Sequence, residues 1–230
     1  MMIYYVIIGF FTLIGWLISS RLKGKFKRYS KVPVASRLSG AEVAAKMLSH
    51  YGIHDVQITE GKGFLSDHYN PLKKTIALSP HVFQGRNVAA AAVAAHECGH
   101  AVQHANAYEM LMMRSRLVPV VQFSSRIQQM LFIGFIIGMG ISQGALGNML
   151  MIALVVTFGI TALFALITLP VEFDASRRAL VWLDESGVAR GSEYDGAKDA
   201  LWWAAMTYVT NALASLVVFM FFLLQFMGRE

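Results

Sequence analysis

Residues 96–100 read His96-Glu97-Cys98-Gly99-His100. On an α-helix, positions i and i+4 lie one above the other on the same face. His96 and His100 can therefore present two imidazole nitrogens to one metal ion. Glu97 projects beside that face, where it can take a proton from an activated water. This spacing suits a hydrolytic Zn2+ site. The surroundings support that chemistry. The motif ends a run from Asn87 to Ala95 made almost entirely of alanine and valine, and a helix that is apolar all round is a buried helix. Two histidines and a glutamate inside such a helix need compensating partners, because burying them alone is costly. Cys98 stands about 200° round the helix from His96 and points away from the metal position.

Two histidines leave a hydrolytic zinc site one protein ligand short. Gln103 and Asn106 occupy the positions where a metzincin motif carries glycine and histidine, which excludes that class. His104 lies about 6 Å past His100 along the helix axis and is expected to pack or support rather than ligate. The third ligand is expected to be a carboxylate from another helix. Glu172 is the first choice and Asp174 the alternative, both in the stretch Leu169-Pro170-Val171-Glu172-Phe173-Asp174-Ala175-Ser176-Arg177-Arg178.

The elements that position these residues follow from composition. The chain has 230 residues, 56% hydrophobic and only 15% charged. A soluble domain carries about a quarter charged residues, so an ordinary soluble globule is excluded, as is disorder. Residues 1–20, 127–171 and 200–228 contain no Asp, Glu, Lys or Arg. A span needs about 20 apolar residues. The blocks are read as four spans, at about 2–20, 127–142 (recruiting residues from 118), 148–170 and 203–227, with a tight connection at 143–147. Arg21, Lys23, Lys25, Lys27, Arg28 and Lys31 follow the first block directly. Cations so placed hold a span with its N-terminus outside and residues 21–126 inside, and argue against a cleaved leader. The net charge of +6 then belongs to lipid headgroups, and no nucleic-acid motif accompanies it. The same threading puts Glu172 on the cytoplasmic side, at the hydrocarbon edge, together with His96 and His100. Trp202 and Trp203 open the last span as belt residues. Glu193 and Asp195 read as solvated. Cys98 is the only cysteine, so no internal disulfide forms, which fits a reducing compartment.

The organisation expected is a span at 1–20, a cytoplasmic domain at 21–117, two spans within 118–170, a cytoplasmic segment at 171–200 carrying the third ligand, and a last span at 201–228. Within the cytoplasmic domain, Ser39 and Glu42 form a capping-box signature that predicts a helix over 40–51, ended by Gly52. Runs at 56–59 and 75–78 read as strands of an antiparallel hairpin, with Asp67-His68-Tyr69-Asn70-Pro71 as turn composition between them. The motif helix is expected over about 87–107.

Three segments together carry a family resemblance: Val93-Ala94-Ala95-His96-Glu97-Cys98-Gly99-His100-Ala101; Asp67-His68-Tyr69-Asn70-Pro71 with Leu78-Ser79-Pro80; and Glu172-Phe173-Asp174-Ala175-Ser176-Arg177-Arg178-Ala179. The chain resembles the YugP-type neutral zinc metallopeptidases over nearly its whole length. It is more distantly similar to the heat-shock membrane metalloproteases and the CAAX prenyl proteases. The resemblance implies a mainly α integral membrane protein of about four transmembrane helices, with a small α+β cytoplasmic zincin-like domain of the gluzincin type, in a bacterial inner or plasma membrane. It implies a peptidase holding Zn2+ through His96, His100 and Glu172, with Glu97 as general base. The wider group has Glu-x-x-x-Asp at the third ligand, whose Asp holds a zinc histidine. Here the corresponding residue is Ser176, so Ser176 or Asp174 takes that role. Arg177, His68 and Tyr69 are candidates to stabilise the transition state, and the hairpin edge can accept substrate as an added strand. Expected partners are the lipid bilayer and protein or peptide substrates, membrane proteins or their exposed tails, cleaved in quality control or processing. The alternatives are a catalytically silent zinc-containing membrane adaptor or scaffold, against which Glu97 argues, and a zinc transporter. The latter needs ligands at mid-span, where this chain has none.

Overall fold

The computed structural model describes residues 2–63, 66–136 and 145–228. Seven helices and a three-stranded sheet follow in the order α1 (Met2–Tyr29), α2 (Gly40–His50), β1 (Gln57–Glu60), β2 (His68–Asn70), β3 (Thr75–Leu78), α3 (Pro80–Phe83), α4 (Val88–Ala105), α5 (Glu109–Ile136), α6 (Ala145–Glu185) and α7 (Ser192–Met227). The chain divides into two compact units. One comprises Met1–Trp16, Met113–Leu169 and Tyr208–Glu230, and the other Leu17–Met112 and Pro170–Thr207.

The first unit is made of apolar helical segments. Tyr4, Met151, Leu154, Phe158, Val218 and Phe222 are buried together, and Phe158 stacks on Phe222 with ring centroids 4.7 Å apart. The Ser124 hydroxyl donates to the Thr157 carbonyl, 3.4 Å away. Large apolar side chains such as Phe10, Met130, Met149 and Leu224 point outward. Continuous exposed apolar surface of this kind needs a nonaqueous neighbour. Among the described residues, three helices are long and apolar enough to cross a membrane: Met2–Tyr29, Gly147–Glu185 and Ser192–Met227. The second expected span falls partly in α5, which also carries Arg114, Arg116 and Arg126; its residues 137–142 lie outside the described ones. Of the connection expected at 143–147, residues 143–144 also lie outside them, and 145–147 open α6.

The helices outrun the apolar blocks. α1 continues through the cationic stretch, and α6 and α7 leave only residues 186–191 between them. The expected cytoplasmic segment at 171–200 is therefore mostly helix. No breaker interrupts it before Ser186-Gly187. Glu193 is not simply solvated, since its carboxylate accepts the Ala35 N–H at 3.0 Å.

The second unit holds the polar machinery. Its core joins Val43, Ala44 and Met47 of α2, Ile76 and Leu78 of β3, the alanines of α4, and Ala179, Trp182 and Leu183 of α6. α2 starts at the expected capping box. The Glu42 N–H donates to Ser39 Oγ at 3.2 Å and the Ser39 N–H to the Glu42 carboxylate at 2.7 Å. It ends before Gly52, whose φ of +68° favours glycine.

The sheet corrects the expected hairpin. β1 pairs with β3 in parallel, Gln57 opposite Thr75, and β2 pairs with β3 antiparallel, Tyr69 opposite Ile76. The order is β1-β3-β2. The residues read as turn composition thus supply a strand. The true hairpin turn is 71–74, where Asn70 Oδ1 accepts the N–H groups of Leu72 and Lys73. Asp67 fixes the start of β2 by accepting the Ser79 N–H at 2.7 Å and the Ser79 hydroxyl at 3.0 Å.

Replacing Ser39 by Ala removes one half of the capping box. It should lower stability by about 1 kcal/mol, seen as a lower melting temperature of the detergent-solubilised protein with its helix content unchanged before melting.

Candidate metal centre

α4 begins at Asn87, whose side-chain oxygen accepts the Ala90 N–H at 2.9 Å, and runs through the alanines to Ala105. Its small side chains let other elements approach closely. α6 comes very close at Gly99. A Cβ there would lie 2.5 Å from the Ala175 carbonyl oxygen and 3.0 Å from the Ala175 Cα. Only glycine allows α4 and α6 to meet at that point. Glu172, almost one turn before Ala175, is thereby brought over the histidine face.

One Glu172 carboxylate oxygen stands 3.3 Å from His96 Nε2 and 3.7 Å from His100 Nε2. The imidazole rings are 4.8 Å apart and nearly perpendicular, at 82°. Potential ligand atoms of all three residues lie within 4.8 Å of one another. A tetrahedral zinc ion with bonds of about 2.0–2.1 Å separates its ligands by about 3.3 Å. The residues therefore fit the ion in type, number and spacing, and leave a fourth position for water or substrate. The side chains of His96, His100 and Glu172 are 14%, 10% and 2% exposed. Burial works against a charged His100, but Glu172, the charge of Glu97 and a bond to Gln103 outweigh it and hold the pKa above its ordinary value. The cluster favours positive charge. Glu97 is buried on the same turn of α4. Cys98 is fully buried against the Ala44 carbonyl, away from the cluster as expected.

Both imidazoles are held from behind. His96 Nδ1 shares a 3.1 Å hydrogen bond with the Ser176 hydroxyl. His100 Nδ1 is 3.0 Å from Gln103 Oε1. The Gln103 amide nitrogen donates to the Val171 carbonyl at 2.8 Å and to Asp174 at 2.9 Å. Both of those partners are acceptors, so the amide cannot be reversed. Its oxygen must face His100, whose Nδ1 must then donate. In its neutral form His100 then carries its lone pair on Nε2, the nitrogen on the Glu172 side that a metal ion would take. Asp174 is itself fixed by Arg177 at 2.5 Å and Arg178 at 2.6 Å. It stands outside the cluster as a supporting group. Ser176 and Asp174 thus divide the supporting role, one directly and one through Gln103.

The remaining candidates lie apart from these contacts. Arg177 is engaged with Asp174 and 71% exposed. His68 is exposed at the start of β2, its Nδ1 2.9 Å from the Ser66 carbonyl. Tyr69 shares a 2.7 Å hydrogen bond with His104 Nδ1, which ties β2 to the end of α4 and gives His104 the supporting position expected of it. Burial, with the charge of Asp55, pushes the Tyr69 phenol up to about 12, so it stays neutral. Gly99 and Gln103 escaped the sequence reading. A glycine inside an otherwise alanine-rich helix was the available signal for the first. For the second it was a polar residue three positions after His100, on the same face.

Replacing Gly99 by Leu should separate α4 from α6 and abolish stoichiometric zinc in the purified protein. Replacing Gln103 by Leu should weaken zinc binding about 10–100-fold, the usual cost of losing a group that orients a ligand. Chelator competition measures both.

Residues 4–227 match a family described as "Putative neutral zinc metallopeptidase". The chain is 39% identical over 212 residues to a Bacillus subtilis (strain 168) protein titled "Putative membrane protease YugP", covering 91% of each. No solved structure matches it. With the match running through both units and over every residue of the His96–His100–Glu172 cluster, the chain belongs to this zinc metallopeptidase family.

Proposed function

We propose that the protein is a membrane-embedded zinc peptidase of the gluzincin type, with a zincin-like domain at the cytoplasmic face. The observation that carries this reading is the convergence of His96, His100 and Glu172 with Glu97 on the same turn. His96, His100 and Glu172 would hold the zinc, which would supply the Lewis acidity that activates water near neutral pH. Glu97 takes the proton of the attacking water and returns it to the leaving amine. Ser176 and Gln103 keep both imidazoles oriented throughout. Arg177, His68 and Tyr69 are the candidate donors to the developing oxyanion, each of which would have to leave its present partner. β2 is an edge strand, and substrate adds beside it as an extended strand.

In this reading α1, α5 from about residue 118, α6 and α7 are four spans. The N-terminus faces outward and the cationic end of α1 inward. Substrates are membrane proteins, or tails and loops close to the bilayer surface, cleaved in quality control or processing.

The test uses the full chain in detergent, with zinc content and cleavage of casein measured together. Glu97→Gln is expected to lose at least about 100-fold in cleavage rate while retaining zinc. Glu172→Ala is expected to lose zinc. Cleavage that survives Glu97→Gln overturns the mechanism, and zinc without any cleavage in the unaltered protein favours the scaffold.

A further inference from the structure

A second cavity of the polar unit is chemically distinct from the metal centre. It has a volume of about 680 Å³ and lies where α1 meets α3 and the start of α4. Its polar lining is Lys23, Lys27, Ser30, His81, Gln84 and Asn87, with no Asp or Glu among the lining residues. Ser30 gives its hydroxyl proton to the Lys27 carbonyl at 3.0 Å and Gln84 its amide to the Glu60 carboxylate at 2.9 Å, so the donors turned to a ligand are the Lys23 and Lys27 ammonium groups and Asn87. Asn87 uses its oxygen to cap α4, which leaves its amide nitrogen as a donor.

The cations of α1 are divided between two tasks. Lys25 is committed to Asp199 at 2.6 Å, and Arg28 lies over the Tyr29 ring. Lys23 and Lys27 are one turn apart on the same face and are exposed. No carboxylate among the described residues pairs with either. Two cations and an amide donor lining one cavity call for an anion with several acceptor oxygens, a phosphate.

The position of the cavity selects the source. The charge-free part of α1 ends at residue 20. At 1.5 Å per residue, Lys23 lies about 4.5 Å beyond it and Lys27 about 10.5 Å. The headgroup layer extends about 5–8 Å from the hydrocarbon edge, and lysine side chains reach back toward it. We propose that this cavity binds the phosphate of an anionic phospholipid headgroup, seating the polar unit on the membrane surface. The proposal rests on α1 crossing the bilayer, but not on peptidase activity.

The test measures binding to the full chain in a neutral detergent by native mass spectrometry and thermal shift. The probes are dioleoyl phosphatidylglycerol, dioleoyl phosphatidylcholine and inorganic phosphate. Phosphatidylglycerol should bind at least about tenfold more tightly than phosphatidylcholine, and more tightly than phosphate. The double change Lys23→Gln with Lys27→Gln should remove that preference at unchanged zinc content. Arginine at both positions should preserve it, as should the equal charge loss from Lys62→Gln with Lys73→Gln at the sheet. Equal binding of the two lipids overturns the proposal, as does phosphate binding as tightly as phosphatidylglycerol or a preference that survives the glutamine pair. Retention of the chain in carbonate-washed membranes tests the α1 span separately.

Discussion

The polar unit depends on a buried carboxylate. Glu172 is almost wholly withdrawn from solvent and sits between two imidazoles. Removing an isolated carboxylate from water costs several kcal/mol even after the protein relaxes. That cost is offset only where positive charge meets the carboxylate at short range, as protonated histidine or as a metal ion. Such contact requires the backbones of α4 and α6 to come together, and they do so at Gly99 and Ala175. The alanines before the motif serve the same end. They keep α4 thin enough for α2, the sheet and α6 to pack around it.

A second layer makes the cluster specific. Each histidine is fixed at the nitrogen that faces away from Glu172, one by a hydroxyl and one by an amide. The two arrangements differ in reach. Ser176 acts alone. Gln103 transmits the placement of Asp174, which two arginines hold in turn. The segment 171–178 therefore supplies the carboxylate that meets the histidines, a hydroxyl, a carbonyl and an anchored carboxylate from two turns of one helix. Ligand geometry and helix packing cannot be altered independently there.

Much of this was legible in the sequence, for identifiable reasons. The His-Glu-x-x-His spacing, the capping box at Ser39 and Glu42, and the charge-free blocks are all local patterns, and helical periodicity converts them directly into structure. The sheet was not legible. Strands at 57–60 and 75–78 look like neighbours in a hairpin, but they pair in parallel because β2 returns between them and takes the antiparallel position on β3. Pairing partners are a choice among distant segments, and local alternation is blind to that choice. Helix ends were similarly hidden. Hydropathy marks where apolar residues stop, whereas helical backbone runs on past them, as it does in α1, α6 and α7.

The sequence by itself determined the chemistry: two imidazoles one turn apart, a glutamate beside them, a cationic collar after an apolar helix, and a carboxylate waiting in another apolar block. These are properties of residue type and short-range spacing. The tertiary structure alone decided which carboxylate joins the histidines, Glu172 and not Asp174, and which groups set their orientation. Those decisions turn on the rotation of α6 against α4 at a contact only glycine permits, and no periodicity within either helix encodes the angle between them.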